Sequence, residues 1–113
     1  MNAYQKVRAA CNECGIYYAG DTVYTGKEKT YVVANVFDER VRLSADDEVQ
    51  ETSMGMYVHL FMPHDQGFIK IRRKLQDALV KYGLNYPEIV NNSIEGNTRH
   101  LTLQTADEEG EDN

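Results

Sequence analysis

The stretch from Thr30 to Met62, TYVVANVFDERVRLSADDEVQETSMGMYVHLFM, decides the fold. It contains two extended runs, Thr30–Leu43 and Val49–Met62, on either side of an acidic cluster. In the second run, methionine and aliphatic residues alternate with Gly, Tyr, His and Phe, which is the period-two pattern of a strand. The first run is rich in β-branched and aromatic residues and has no proline. The two runs therefore predict a long antiparallel ribbon.

The central part of this ribbon, Asp38–Glu51, is strongly charged and hard to bury. We expect it to project from the body of the fold as a long β-hairpin. A projecting acidic ribbon on a small domain favours a surface for contact with another protein over a binding pocket.

Two helices flank the ribbon in the sequence. Asn2 is a suitable N-cap with Gln5 three residues later, and Gly15 is placed to end the first helix. A second apolar stripe at helical spacing predicts a helix from Phe68 to Tyr82, closed by Gly83.

The remaining strands are shorter. We predict weak strands at 16–18 and 23–24, and a final pair at 84–92 and 99–105 around a turn at 93–98. Helices separated from runs of strands indicate an α+β domain, with a largely antiparallel sheet and both helices packed on one face. We expect one domain over residues 1–106 and a disordered acidic tail over 107–113, because that tail has no apolar residue.

The bulk composition excludes several classes of protein. A chain of 113 residues is long enough to form one hydrophobic core without disulfide or metal cross-links. Its content of 42% hydrophobic and 27% charged residues is typical of globular proteins. The net charge of −6 argues against general nucleic-acid binding. No apolar run is long enough to span a membrane, and we expect no secretion signal at the start of the chain. The two cysteines are then expected to be reduced.

A CxxC motif at Cys11–Cys14 leaves a metal or redox role open. A catalytic pair normally lies at the start of a helix, whereas this pair is predicted at the end of one. A structural zinc ion would need two more ligands from His59, His64 or His100, which have no paired spacing. Both cysteines also fall on the apolar stripe, which favours buried core thiols. A small metal- or redox-binding protein using these cysteines and a histidine is retained as an alternative.

No other motif predicts catalysis. The cluster Asp46–Glu48 lacks the spacing and the glycine of a calcium loop, and His59 with Asp65 has no nucleophile placed beside it. Phosphate-binding glycine loops and the HExxH zinc motif are absent from the sequence. We therefore predict a protein that is not an enzyme and that has no cofactor, metal or catalytic residue.

Opposite charges are concentrated in two parts of the chain, the acidic ribbon and the N-terminal half of the second helix. Within one molecule these regions could simply pair. Between identical copies they would make a head-to-tail contact, and a head-to-tail contact that closes makes a ring. The predicted subunit or partner interface consists of Asp38, Glu39, Arg40, Arg42, Asp46, Asp47, Glu48, Glu51, Lys70, Arg72, Arg73 and Lys74.

The order of these motifs resembles that of the tail-terminator, or tail-completion, proteins in the neck of long-tailed bacteriophages. The resemblance lies in Thr30-Tyr31-Val32-Val33, Val36-Phe37-Asp38-Glu39-Arg40, Leu43-Ser44-Ala45-Asp46-Asp47-Glu48 and Tyr57-Val58-His59-Leu60-Phe61. It extends over about Tyr4 to Glu109, with the basic helix and the closing hairpin following in the same order.

The resemblance implies a structural protein of the virion, made in the host bacterial cytoplasm. Such subunits form a ring, usually a hexamer, that caps the tail tube, ends its polymerisation and joins the tail to the head connector. The implied partners are other copies of the chain, the tail tube protein and the connector or stopper protein. DNA would pass through an acidic lumen only as cargo. A head-completion or stopper role in the same neck is the nearest alternative.

Overall fold

The elements of the fold follow the predicted pattern closely. The computed structural model describes residues 1–43 and 49–108. Two helices and a sheet of five strands confirm the α+β class. In chain order the elements are α1 (Ala3–Cys14), β1 (Tyr17–Tyr18), β2 (Tyr31–Leu43), β3 (Val49–Pro63), α2 (Phe68–Lys81), β4 (Glu88–Glu95) and β5 (Thr98–Asp107).

Helix α1 begins and ends where its capping residues predict. The Gln5 backbone N–H donates to Asn2 Oδ1 at 2.8 Å, and the Asn2 N–H donates to Gln5 Oε1 at 2.9 Å, which completes the capping box. Gly15 takes a left-handed conformation with φ of 71°, which glycine adopts without a steric penalty.

The sheet has the order β1-β2-β3-β5-β4, so the central strand is β3. All neighbouring pairs are antiparallel except β1 with β2, which is parallel. The even-numbered residues of β3 between Met56 and Met62 face the helices and are fully buried. Both helices pack on that face, here called the inner face, as predicted. The buried apolar core consists of Ala3, Val7, Ala10, Cys11, Ile16, Val32, Ala34, Met56, Val58, Leu60, Met62, Leu75, Ala78, Leu79, Leu84, Leu101 and Leu103.

The hairpin of β2 and β3 extends beyond the rest of the sheet, which confirms the predicted projection. Strand β5 pairs with β3 only as far as Met54 opposite Asp107. Beyond that point β2 and β3 continue as a pair to Leu43 opposite Val49. From here on, the word ribbon refers only to this projecting end of the hairpin, residues 38–43 and 49–53. The molecule measures 54 × 25 × 23 Å along its principal axes, with the long dimension consistent with this extension.

The structure corrects several local predictions. Val23 and Tyr24 lie in a loop and not in a strand. Strand β4 begins at Glu88 and runs to Glu95, so the hairpin turn is shorter than predicted, and Gly96 takes its left-handed position (φ 62°). No described helix is long and apolar enough to cross a membrane.

The predicted boundary of the acidic tail is also corrected at Asp107. This residue belongs to β5 and is fully buried. Its Oδ1 accepts a hydrogen bond from Lys6 Nζ at 2.8 Å, and Lys6 itself is only 9% exposed. The buried pair joins α1 to the last strand at the base of the ribbon. Residues 109–113 of the predicted tail lie outside the described residues.

Candidate assembly interface

The ribbon carries the acidic half of the predicted interface. Glu39 is exposed, and Asp38 Oδ2 accepts a hydrogen bond from Arg40 Nε at 2.9 Å. Arg42 and Glu51 are direct partners across the two strands of the ribbon. The predicted interface residues Asp46, Asp47 and Glu48 lie outside the described residues.

A β-bulge marks the base of the ribbon. Val36 pairs with Met56 and Asp38 pairs with Gly55, so Phe37 is an extra residue in β2. The Phe37 ring stacks on Tyr57 with centroids 4.3 Å apart and lies directly over Gly55. A Cβ atom at position 55 would come within 2.8 Å of Phe37 Cζ. A larger residue at position 55 would therefore displace the end of the Phe37 ring from its place against the strand.

The basic half of the predicted interface is not uniform. Lys70, Arg73 and Lys74 are exposed on α2. Arg72 is half-buried, and its guanidinium lies 6.0 Å from the centre of the Phe68 ring. Arg99 packs on the same ring at 4.2 Å. Arg72 is thus partly a packing residue, and the charge available to a partner comes from the other three.

The acidic and basic regions lie toward opposite ends of the sheet. Helix α2 begins after Pro63, which pairs with Thr98 at the end of the sheet farthest from the ribbon. The chain leaving α2 returns to the ribbon base, where the Asn85 N–H donates to the carbonyl of Ala106 at 2.9 Å. No ion pair joins the ribbon to α2 among the side chains that the structure describes. The two charged regions therefore do not neutralise each other there.

The cysteines occupy the positions expected of core thiols. Cys11 is fully buried, and burial raises the pKa of its thiol to about 12. Cys14 is half-buried, and desolvation again raises its pKa, against a smaller opposing effect of Lys74. Neither thiol is activated as a nucleophile or a metal ligand requires.

The retained combination of these cysteines with a histidine is not formed. Cys11 lies in the core on the inner face, whereas His59 and His100 lie on the opposite, outer face of the sheet. Over residues 1–43 and 49–108, no three His, Cys, Asp or Glu side chains are grouped so that they could hold a metal ion.

The outer face carries a band of stacked rings that sequence reasoning recognised only in part. Tyr31 stacks on Phe61 at 4.9 Å, and Phe61 stacks on His100 at 4.3 Å. The alternation of Tyr57, His59 and Phe61 predicted a shared face, but not their neighbours on other strands. The full band consists of Tyr17, Tyr24, Tyr31, Phe37, Tyr57, His59, Phe61 and His100.

Part of this band forms the floor of a groove of about 450 Å³. The loop before β2 forms one wall, and its Val23 is 87% exposed. The groove is lined by Asp21, Thr22, Val23, Tyr24, Tyr31, Val33, Asn35, His59, Phe61 and His100. The molecule therefore has a second exposed feature, separate from the charged ribbon and helix.

Comparison with known proteins identifies the fold. No family model and no curated protein matches the chain. Among solved structures, a chain from the virion of a native gene transfer agent particle matches with a TM-score of 0.56. The match covers 97% of this chain and 92% of that chain at 16% sequence identity. Nearly the whole length of the protein thus shares its fold with a chain of that virion.

Proposed function

We propose that this protein is a structural component of a phage-like virion, and that it forms the ring at the neck that terminates the tail. In this role the ring caps the tail tube, ends its polymerisation and joins it to the head connector. The fold shared with a chain of the gene transfer agent virion supports the broader assignment. The sequence resemblance to tail-terminator proteins supports the more specific one.

The observation that carries the ring assignment is the placement of opposite charges toward opposite ends of the sheet. A ribbon that extends past β5 at one end can reach a neighbouring copy without rearranging its own core. The exposed cations of α2 lie toward the other end. A surface that fits a different surface on the next copy produces a head-to-tail contact, and such contacts form a ring when the rotation between copies closes.

Electrostatics favours this contact between copies over a contact within one copy. Among the described side chains, Glu39 on the ribbon and Lys70 and Arg73 on the helix are exposed, and the ion pairs of the described residues do not join them. Complementary charges of this kind mainly set the register and the rate of encounter. Packing of the ribbon against the neighbour would supply most of the affinity.

A charge-swap experiment tests the ring. Arg73→Glu should weaken assembly on tail tubes, and Glu39→Arg should do the same, whereas the two changes together should restore it in part. Arg8→Glu is the matched control, because it makes the same change of charge at an exposed position of α1. Assembly is measured by native mass spectrometry and by negative-stain microscopy of the protein mixed with tail tubes. Arg72 is left unchanged because it packs on Phe68.

The result that contradicts the proposal is a chain that stays monomeric alone, with tail tubes and with connectors. The particles made by a virus lacking the gene distinguish the tail-terminator role from the stopper role. Abnormally long tails identify a terminator, whereas full heads that lose DNA identify a stopper protein.

A further inference from the structure

The outermost strand of the sheet, β4, is paired on one side only. It is the last strand in the order β1-β2-β3-β5-β4, and its register partners all lie on β5. Over the residues that the structure describes, no strand pairs with its other edge. The backbone N–H and C=O groups that point away from β5 are therefore open to another strand.

The sequence of β4 gives this edge little protection. Edge strands are usually protected by charges, prolines or bulges. In β4 the two charges lie only at its ends, at Glu88 and Glu95, and the one irregularity of pairing lies at Val90. Residues 91–95 pair regularly with β5 and have no charge before Glu95 and no proline. The greater part of this edge can therefore pair with another chain.

Apolar side chains are also exposed along this strand. Ile94 is 52% exposed and Val90 is 48% exposed. Ile89 lies opposite the buried Leu103 on the inner face and is nevertheless exposed. The helices that cover the centre of the sheet therefore leave β4 open. An exposed apolar edge of this kind is typical of a site that accepts a strand from another chain.

Helix α2 presents exposed side chains on the side next to β4. Gln76 Nε2 donates to the carbonyl of Pro87, immediately before β4, at 2.9 Å, so this side of α2 faces the strand. Arg73 precedes Gln76 by three residues and is exposed on the same side. Ile69 and Val80 lie along the same stripe and are also exposed. A strand added to β4 would therefore run beside a cation and two apolar side chains.

The ribbon has a free edge of its own. Strand β1 pairs with β2 only at Tyr31 and Val32, so among the described residues the 38–43 part of β2 is paired with β3 alone. Six residues of a strand extend about 20 Å, and the eight residues of β4 extend about 26 Å. The ribbon is therefore long enough to pair along most of β4.

From these features we infer, on the basis of the proposed ring, that β4 accepts the 38–43 strand of the ribbon from a second copy of the chain. The sheet of one copy then continues into the sheet of the next. Backbone hydrogen bonds along the shared edge would join the copies, and the exposed apolar side chains of β4 would be covered by the added strand.

The distribution of charge supports this occupant when the inner faces of both copies lie on the same side. Glu39 lies on the inner side of the ribbon and would face the exposed Arg73 of α2. Arg40 is largely exposed and lies on the outer side of the ribbon. Glu88 and Glu95, at the two ends of β4, also lie on the outer face. Opposite charges on neighbouring strands stabilise a sheet, and both faces of the joint offer such pairs.

Pairing of β4 with the β4 of another copy is less favourable. Full antiparallel pairing of two β4 strands would place Glu88 of each copy opposite Glu95 of the other. Like charges directly opposite each other destabilise a sheet. That two-fold contact would also close after two copies and leave the ribbon without a role.

Hydrogen exchange tests which strands join. Amides of β4 and of the 38–43 part of β2 should both exchange at least about tenfold more slowly in protein assembled on tail tubes than in free protein, because their open N–H groups become paired. Protection of β4 without the ribbon would identify a different occupant. Protection of the ribbon without β4 would identify a different site. Either result overturns the inference.

Proline substitution tests the backbone pairing itself. Neighbouring residues of a strand direct their N–H groups to opposite edges, so either Asn92→Pro or Ser93→Pro removes an N–H that points away from β5. Thermal unfolding identifies this variant, because it keeps its pairing with β5 and stays folded. It should weaken assembly at least about tenfold. Alanine at the same position is the control, since it keeps the N–H and should assemble normally.

The failure of this inference is distinguishable from the failure of the ring. Normal assembly of the folded proline variant overturns the shared sheet and leaves the ring intact. If the unmodified protein does not assemble alone, with tail tubes or with connectors, the ring is contradicted and the shared sheet with it.

Discussion

Replacement of Lys6 by methionine tests how the last strand is held to the first helix. Lys6 Nζ lies 2.8 Å from Asp107 Oδ1, and the side chains of the pair are 11% and 0% exposed. Methionine keeps the length and the apolar stem of lysine but removes the cation that donates a hydrogen bond to the buried Asp107 carboxylate. We expect the free energy of unfolding to fall.

The magnitude follows from the burial of the pair. Removing one partner of a buried ion pair costs ~3–5 kcal/mol, and the slight exposure of Lys6 places the expected cost at the lower end, about 3 kcal/mol. At roughly 4 °C per kcal/mol, the unfolding temperature should fall by about 12 °C. Urea unfolding followed by circular dichroism measures the free energy directly.

A double-mutant cycle supplies the control. Lys6→Met combined with Asp107→Leu removes both charges and should recover most of the lost stability, because apolar residues often replace a buried ion pair at little cost. If Lys6→Met costs less than about 1 kcal/mol, or if the double variant is no more stable than the single one, then the pair does not hold the strand as argued.

Three further predictions concern local features. Gly55→Ala should destabilise the fold by about 1 kcal/mol, because the added Cβ would collide with Phe37. The cost should disappear in a Phe37→Ala background. Thermal unfolding of the wild type, the two single variants and the double variant checks this. Iodoacetamide at pH 8 should modify Cys14 well before Cys11, whose buried thiol has a pKa of about 12; peptide mass spectrometry showing equal rates would contradict it. Asn2→Ala should cost about 1 kcal/mol through loss of the capping box, measured in urea against wild type, and an unchanged midpoint would show that the cap contributes nothing.

The features that the sequence predicted correctly are those specified by local patterns. Capping residues mark both ends of α1, and the period-two alternation identifies β3 and the face that it buries. The fold class and the projecting hairpin follow from these two patterns, because alternating strands must pair and a charged hairpin end is costly to bury.

The features that were missed depend on pairing between distant residues. Asp107 resembles the start of an acidic tail in the sequence, but its pairing with Met54 and its contact with the buried Lys6, a hundred residues earlier, place it at the end of β5. The contact of His59 with His100 depends on the register of β3 with β5, which no local pattern gives. Arg72 was counted with the exposed cations because its packing on Phe68 is not visible in charge spacing.

The single additional residue at Phe37 determines on which face of the ribbon Asp38, Glu39 and Arg40 lie. Before it, Val32, Ala34 and Val36 point toward the helices, so even-numbered residues face inward. After it, Glu39 lies opposite Met54, so an odd-numbered residue lies on the inner side. Deleting that one phenylalanine would exchange the faces on which Asp38, Glu39 and Arg40 lie while leaving the composition of the ribbon almost unchanged. The number of residues in β2 before the ribbon therefore sets which of its faces is turned toward a neighbour. Relatives that lose or gain one residue at this point would present the opposite face.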